Sequence, residues 1–168
     1  MLNSIENTLK AKLKDCISTF KQTSYDKNNK IYLCDDTKTQ TVYNFDIYSK
    51  KQDKAQQKAS PDAIYLNKDT IYCVEFKNSE LKNIKDRTMQ NKFRSGAKLL
   101  KNLFKIQNLN DYQFIFCIVY KKTERAIFPE RFKNFGLQDI NKELNYFYDK
   151  IITKDIEYYK KEFKQLKC

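Results

Sequence analysis

The chain has 168 residues, 33 of them Lys or Arg and 21 Asp or Glu, for a formal net charge of +12 at pH 7. This length fits one domain over residues 1–168, and the excess of cations favours an anionic partner such as nucleic acid or an acidic membrane surface. Lys and Asn are abundant while Gly and Pro number two each, so part of the charge can equally be a solvated surface. Because His is absent, Ser-His and Cys-His catalytic pairs are excluded, and hydrolysis would need carboxylates, lysines or a metal.

Cysteine usage and hydropathy indicate the compartment. The five cysteines are scattered, form no C-x-x-C pair and have no His to complete a zinc site. The first thirty residues lack the apolar run of a signal peptide, and no segment approaches the roughly 18 apolar residues of a membrane span. We therefore expect a reduced cytoplasmic protein, nuclear if eukaryotic, with no membrane partner.

The first half of the chain is predicted to form one amphipathic helix and several strands. Apolar side chains at steps of three and four from Leu2 to Phe20 define one helix face. Short runs rich in Tyr, Val and Ile are typical of strands. In chain order, the predictions are a helix over 2–20, strands or a hairpin over 30–36 and 41–49, a polar loop over 50–60, and two strands over 62–66 and 70–78.

The second half is predicted to form a helix over 83–105, a strand over 112–120 and one or two helices over 138–167. The strand is almost wholly apolar, which is typical of a strand buried on both faces. This order predicts an α/β fold, a three-layer α/β/α sandwich in which helices cover both faces of a central mixed sheet and further helices follow at the C-terminus.

Charged residues mark one end of the predicted strand pair over 62–78. If the turn is symmetric, Asn67 faces Thr70 and Asp62 faces Glu75, with Cβ atoms about 5 Å apart. Lys77 points to the same face because side chains alternate along a strand. Two carboxylates this close on an apolar surface repel each other and lose hydration, and a hard divalent cation such as Mg²⁺ would relieve both penalties.

An ordinary ion pair between Glu75 and Lys77 at a solvated strand end is the alternative, with Asp62 merely following a proline at a turn. The same Glu-x-Lys triplet occurs at 80–82 and at 162–164, where no strand pair precedes it. The context of the copy at residue 75 favours the metal site.

Pro61-Asp62, twelve intervening residues and Glu75-Phe76-Lys77 resemble the signature of the PD-(D/E)xK nuclease superfamily. The restriction-endonuclease-like core of that superfamily, αβββαβ, is similar to the element order predicted here up to about Tyr120. The resemblance implies a Mg²⁺-dependent deoxyribonuclease and favours an endonuclease over an exonuclease. Asp62 and Glu75 would hold Mg²⁺ or Mn²⁺, and Lys77 would orient or activate the attacking water. Such a metal polarises the phosphodiester and lowers the pKa of bound water. The resemblance also allows a homodimer.

Many members of the superfamily add an acid from the first helix. Glu6 lies about 50° from the centre of the apolar stripe, whereas Asp15 lies about 130° away on the exposed side. Glu6 is therefore the candidate, although a surface pair with Lys10 explains it equally well. Asp46 is a weaker substitute.

The helix over 83–105 carries a polar stripe beside its apolar face. The members of the stripe are Arg87, Gln90, Arg94, Lys98, Lys101 and Lys105. We predict that Gln90 joins the active site and that the cations contact the nucleic-acid backbone. Such a stripe could line a phosphate track, or it could be a solvated face of a Lys-rich protein.

Three functions remain open from the sequence. The first is a metal-dependent nuclease that hydrolyses the phosphodiester bonds of nucleic acid, with DNA favoured. The second is a non-catalytic nucleic-acid-binding or assembly module on the same fold. The third is a protein-interaction factor or toxin whose charge serves only solubility or surface binding. Of the 12 Tyr and 12 Phe, most fall at core spacing, leaving one or two exposed tyrosines for substrate contact.

Overall fold

The structure, a computed structural model, describes residues 4–39, 41–52, 59–105, 109–123 and 133–161. The α-helices in these ranges are α1 (Ser4–Lys12), α2 (Phe20–Thr23), α3 (Phe45–Gln52), α4 (Asp86–Leu103), α5 (Leu137–Glu143) and α6 (Ile156–Lys161), with 3-10 turns at Lys14–Cys16 and Leu81–Asn83. The strands are β1 (Ile17–Ser18), β2 (Tyr25–Asp26), β3 (Ile31–Tyr32), β4 (Val42–Asn44), β5 (Ala63–Asn67), β6 (Thr70–Lys77), β7 (Gln113–Tyr120) and β8 (Lys150–Asp155).

Six strands form one mixed sheet in the order β1-β4-β5-β6-β7-β8. The pairs β1–β4, β4–β5 and β5–β6 are antiparallel, whereas β7 runs parallel to both β6 and β8. The two remaining strands, β2 and β3, form a separate antiparallel hairpin. The predicted α/β class with a mixed sheet is confirmed.

Helices cover the sheet because the side chains of its central strands alternate between two apolar cores. One core contains Ile71 and Cys73 of β6 and lies under α1, α3, α4 and α5. The other contains Tyr72 and Val74 of the same strand, with α2 and α6 packed over it. None of the helices within the described ranges combines the length and apolarity needed to cross a bilayer.

The β5–β6 hairpin has the predicted symmetric register, with Asn67 opposite Thr70 and Ala63 opposite Val74. Strand β7 is buried along nearly its whole length, as its apolar sequence predicts. The four cysteines in the described ranges are buried and free of disulfides: Cys16, Cys34, Cys73 and Cys117.

The predicted N-terminal helix over 2–20 was too long. Helix α1 ends at Lys12, and a 3-10 turn, strand β1 and α2 follow. Leu13, Cys16 and Phe20 are all buried, so the three- and four-residue spacing of core positions continues after the helix has ended. Ile17, which is 69% exposed, lies off that spacing in the edge strand of the sheet. Residues 1–3 lie outside the described ranges.

Two other predictions of local structure were correct only in part, and the second of the two segments does contain helices α5 and α6. In the predicted strand over 41–49 only β4 is extended, because the Asn44 side chain accepts a hydrogen bond from the Ile47 N–H at 3.1 Å and starts α3 in the manner of an N-cap. In the predicted helical region over 138–167, residues of β8 pair with β7. The β-branched run from Ile151 to Thr153 favours a strand over a helix. Residues 162–168 lie outside the described ranges.

Candidate active site

Asp62 and Glu75 lie opposite each other at the open end of the β5–β6 hairpin. Asp62 immediately precedes β5, and the register that pairs Ala63 with Val74 brings it level with Glu75. The Asp62 Oδ2 atom accepts a hydrogen bond of 2.7 Å from the Phe76 N–H. The backbone of β6 therefore fixes the Asp62 carboxylate next to the glutamate, as the sequence predicts.

Glu75 is a fully buried carboxylate, with a side-chain exposure of 0%. Its Oε2 atom accepts a 2.7 Å hydrogen bond from Lys92, and its Oε1 atom lies 2.7 Å from the Lys77 Nζ. The Lys77 ammonium is poorly aligned for a hydrogen bond, so Oε1 has an ion pair but no hydrogen-bond partner within the described part of the chain. A buried carboxylate oxygen in that state retains unused capacity to accept a ligand.

Lys92 of α4 joins the two carboxylates and was not predicted from the sequence. Its Nζ lies 3.2 Å from the Asp62 Oδ1 and 2.7 Å from the Glu75 Oε2. Burial alone lowers the pKa of the Lys92 ammonium, but the negative charges of Glu75 and Asp62 outweigh that effect and raise the pKa above its usual value. The ammonium therefore stays charged and compensates both carboxylates.

The signal for Lys92 was present in the helical pattern. It lies three residues after Met89 and four before Gly96, and both of these face the core. This flank of α4 is on the side of the helix opposite to the cationic stripe.

A close approach between α4 and the start of β5 lets Lys92 reach the carboxylates. At Gly96 a Cβ atom would lie 2.8 Å from the Tyr148 Oη and 2.9 Å from the Pro61 Cγ, so only glycine fits this contact without displacement. Pro61 is buried and directly precedes Asp62. The Gly96–Pro61 contact thus sets the distance between the helix and the site.

The pKa of Asp62 is raised from 3.8 to about 7. Burial is the main cause, and the negative charges of Glu75 and Asp46 add to it. The Lys92 ammonium and the Phe76 N–H act in the opposite direction because they favour the ionised form. Asp62 therefore titrates close to neutral pH, which is common for residues in functional sites.

The structure brings Asp46, rather than the predicted Glu6, close to this cluster. Asp46 lies in the first turn of α3, where its Oδ1 accepts a 2.5 Å hydrogen bond from the Ser60 hydroxyl. Glu6 pairs with Lys10 at 2.6 Å and lines a cavity with Leu66 at the opposite end of the β5–β6 hairpin.

The remaining acid of the N-terminal segment, Asp15, is exposed and pairs with Lys51. Among the acids considered from the sequence, Asp46 is thus the one whose charge acts on Asp62.

The predicted polar stripe of α4 does not reach the carboxylates. Gln90 donates a 3.0 Å hydrogen bond to the Phe135 carbonyl, and Arg94 pairs with Glu143 of α5 at 2.9 Å. Lys101 lies 5.2 Å from the centre of the Phe147 ring. Arg94 and Lys101 are nevertheless exposed, as are the other three cationic members of the stripe: Arg87, Lys98 and Lys105. The stripe is therefore a mixed surface, part of it engaged with the segment over 135–147.

An open cleft of about 330 Å³ lies beside the carboxylates. One wall contains Asp62, Lys77 and Asn78, and the other is formed by the β2–β3 hairpin with Tyr25 and Asp26. Lys77 is 25% exposed, so its ammonium connects the buried Glu75 to the solvent in the cleft. The cleft provides access for a substrate to the charged cluster.

The donor set fits a hydrated hard cation with two carboxylate ligands. Asp62 and Glu75 supply oxygen ligands from the β5–β6 hairpin, and the Glu75 Oε1, which has an ion pair with Lys77 but no hydrogen-bond partner within the described residues, is the atom best suited to bind the cation. No group of three or more His, Cys, Asp or Glu in the described ranges is placed to hold a metal, so water would complete the coordination, as Mg²⁺ prefers. Lys92 contacts both carboxylates and would have to withdraw as the cation binds.

Comparisons of the sequence with models of protein families and with curated proteins, and of the structure with solved structures, found no match.

Proposed function

We propose that this protein is a metal-dependent nuclease that hydrolyses phosphodiester bonds of nucleic acid, with DNA as the first candidate substrate. The observation that carries the proposal is the pairing of Asp62 with a fully buried Glu75 beside Lys77, at the edge of an open cleft. Buried acids with an unused ligand atom are costly to the fold, and a catalytic role accounts for keeping them.

The order of the elements supports the same proposal. If the intervening elements β1, α2, β2, β3 and α3 are left out, then helix α1, the antiparallel strands β4, β5 and β6, helix α4 and the parallel strand β7 match the αβββαβ order of the restriction-endonuclease-like core. Of the two signature acids, Asp62 immediately precedes the second of these strands and Glu75 lies on the third, in agreement with the resemblance to PD-(D/E)xK nucleases. We therefore also propose that the sheet and its helices have the three-layer α/β/α arrangement of that superfamily.

Each residue has a role set by its position. Asp62 and Glu75 would hold Mg²⁺ or Mn²⁺, which when bound supplies polarisation of the phosphodiester and a more acidic water. Lys77 faces the cleft, so its ammonium can orient the attacking water and offset charge on the phosphate. Lys92 keeps the carboxylates compensated in the absence of the cation.

The long-range charge is suited to a polyanionic substrate. The net charge of +12 attracts phosphate backbones without regard to sequence and makes binding dependent on salt. Exposed members of the α4 stripe such as Arg87, Lys98 and Lys105 are available for such contacts.

Cleavage of a panel of plasmid, linear duplex, branched and single-stranded DNA and RNA tests the proposal. The reactions contain Mg²⁺ or Mn²⁺ and compare the wild type with Glu75→Ala, Lys77→Ala and the matched control Glu80→Ala. We expect metal-dependent cutting that falls at least about a hundredfold in the first two variants and is retained in the control. No cutting of any substrate, or equal cutting by all variants, would contradict the proposal.

A non-catalytic nucleic-acid-binding module is the second candidate, and the position of Lys92 favours it. Its ammonium already contacts both carboxylates, so the described residues form a compensated cluster without a metal. This candidate predicts salt-dependent binding of nucleic acid with no cleavage and no uptake of Mn²⁺.

A further inference from the structure

The β2–β3 hairpin presents an exposed aromatic pair next to the candidate active site. Within the described ranges, three tyrosines are more than a third exposed: Tyr25 at 39%, Tyr32 at 47% and Tyr146 at 68%. Tyr25 and Tyr32 face each other across the two strands, with ring centroids 4.7 Å apart. Tyr25 also lines the cleft that contains Asp62 and Lys77.

Local hydrogen bonds hold this hairpin in place. Asp26 accepts hydrogen bonds from the backbone N–H groups of Asn28 and Asn29 at 2.9 and 3.2 Å and from the Asn29 amide at 2.6 Å. These bonds to Asn29 are the main reason that the pKa of Asp26 is lowered. The Asn78 side chain, one residue beyond β6, donates a further bond of 3.2 Å to Asp26. The hairpin is therefore tied directly to the segment that carries Lys77.

Cations accompany the rings. The Lys21 Nζ lies 5.1 Å from the centre of the Tyr32 ring, and Lys27 and Lys30 are exposed in the turn between the two strands. Tyr25 and Lys77 line the cleft itself, together with the acids Asp26 and Asp62, and the hairpin lysines Lys27 and Lys30 are next in sequence to its lining residues. Aromatic rings interleaved with cations are the usual means of binding unpaired nucleotides, because bases stack on the rings and phosphates meet the charges.

We propose that the cleft binds an unpaired segment of nucleic acid, with a base stacked on Tyr25 and Tyr32 packed behind that ring. This inference rests on the proposed nuclease function and defines its substrate class as single strands or the unpaired parts of branched and frayed duplexes. The volume of about 330 Å³ is at the lower end of the range of ligand sites, about 300–1,000 Å³, and is large enough for a group of nucleotide size.

The exposed lysines of the hairpin, Lys27 and Lys30, favour nucleic acid over a protein segment as the occupant of the cleft. The exposed Ile31, at 42%, adds apolar surface to the hairpin, but the lysines around it would disfavour burial under an apolar or basic protein partner. The phosphates of a single strand satisfy these lysines while its bases cover the rings.

Fluorescence anisotropy at fixed salt in EDTA tests this inference. It measures the binding of labelled 20-nucleotide single strands of DNA and RNA and of a blunt 20-base-pair duplex. EDTA prevents cleavage, so binding is measured apart from the reaction. The variants are Tyr25→Ala, Tyr25→Phe, which keeps the ring, and Tyr146→Ala, which removes an exposed tyrosine outside the cleft.

We expect single strands to bind more tightly than the duplex, and Tyr25→Ala to weaken single-strand binding about tenfold. Tyr25→Phe and Tyr146→Ala should bind within about twofold of the wild type, since stacking needs the ring and not the hydroxyl. The DNA and RNA arms then show which sugar the site prefers.

Four results would overturn the inference. If Tyr25→Ala binds single strands as the wild type does, or if the duplex binds best, the hairpin is not a stacking site, and the nuclease proposal still stands. If wild-type self-association is lost in Tyr25→Ala while single-strand binding is unchanged, the rings serve a protein contact. If no nucleic acid binds at all, both this inference and the proposed function fail.

Discussion

Two Glu-x-Lys triplets lie five residues apart and differ in nearly every physical respect. In the first, Glu75 is 0% exposed and Lys77 is 25% exposed, whereas in the second Glu80 is 31% exposed and Lys82 is 75% exposed. Their nitrogen–oxygen distances are nearly the same, 2.7 and 2.9 Å. The short motif therefore does not determine the environment of the pair, and the element that carries it does.

The first triplet ends a central strand that is covered by α4, so its glutamate cannot reach water and needs partners from the protein. The second triplet enters a 3-10 turn at the surface, where solvent screens the pair and makes it worth little. Charge at the first triplet should therefore have large effects on stability and chemistry, and charge at the second should have almost none.

The largest effect on stability is expected for Lys92→Met, which leaves Asp62 and Glu75 without their shared counter-charge. Asp62 then has lost its ion pair and Glu75 keeps only the partly exposed Lys77, and breaking a buried ion pair costs about 3–5 kcal/mol. The free energy of unfolding from urea titration at pH 8 measures it. The control Lys82→Met should change that free energy by no more than about 0.5 kcal/mol, and equal losses in the two variants would contradict the contrast between the pairs.

The second effect is a pH dependence carried by Asp62. Its pKa is about 7 in the folded protein and near 3.8 when unfolded, so the folded state holds the proton more tightly. Its contribution to stability is fully present below about pH 4 and is lost as the pH rises through 7. We expect wild-type stability relative to Asp62→Asn to fall by about 2–4 kcal/mol over this range.

Asp15 provides a control of opposite sign. The hydrogen bond and charge of Lys51 lower the pKa of Asp15, so its contribution is present above its unfolded pKa and is lost as the pH falls further into the acid range. Urea titrations of both Asn variants between pH 3 and 8 measure the two trends. A flat difference for Asp62 would show that its carboxyl group is not desolvated.

A third, smaller effect should follow from Gly96→Ala. Alanine favours a helix, but here its Cβ would lie 2.8 Å from the Tyr148 Oη and 2.9 Å from Pro61, so α4 must shift away from the first triplet. We expect a net destabilisation of about 1–3 kcal/mol by thermal or urea unfolding. The exposed Lys98→Ala on the same helix should be nearly neutral, and a stabilised Gly96→Ala would mean that the contact is loose.

The smallest of these effects concerns the acid that supports the site. Asp46→Asn removes a charge that acts on Asp62, and we expect the rate of nucleic-acid cleavage to fall about tenfold. Glu6→Gln alters only a surface pair with Lys10 and should leave the cleavage rate within about twofold of the wild type. The reverse ranking in a cleavage time course would restore Glu6 as the supporting acid.

Much of this contrast could be predicted from the sequence because a hairpin imposes register. Asn67 and Thr70 next to the turn determine that Asp62 meets Glu75, and the alternation of side chains then places Lys77. The long apolar run of β7 and the strong periodicity of α4 were equally readable.

Contacts between distant elements could not be predicted in this way. Lys92 reaches the carboxylates only because Gly96 packs against Pro61, a tertiary contact that leaves no periodic pattern. The start of α3 at Asn44 depends on one side-chain hydrogen bond within a segment of high strand propensity. Helix α3 places Asp46 close to the site, whereas Glu6 lies at the other end of the β5–β6 hairpin.

The binding of Mn²⁺ at pH 8 tests the central claim most directly. It is measured as the loss of the electron paramagnetic resonance signal of the free ion. The account predicts one site in the wild type that is lost in Glu75→Gln and retained in Glu80→Gln, since Glu75 is the buried carboxylate next to Asp62 and Glu80 lies in a turn at the surface. The absence of binding by the wild type, or equal binding by both variants, would contradict it.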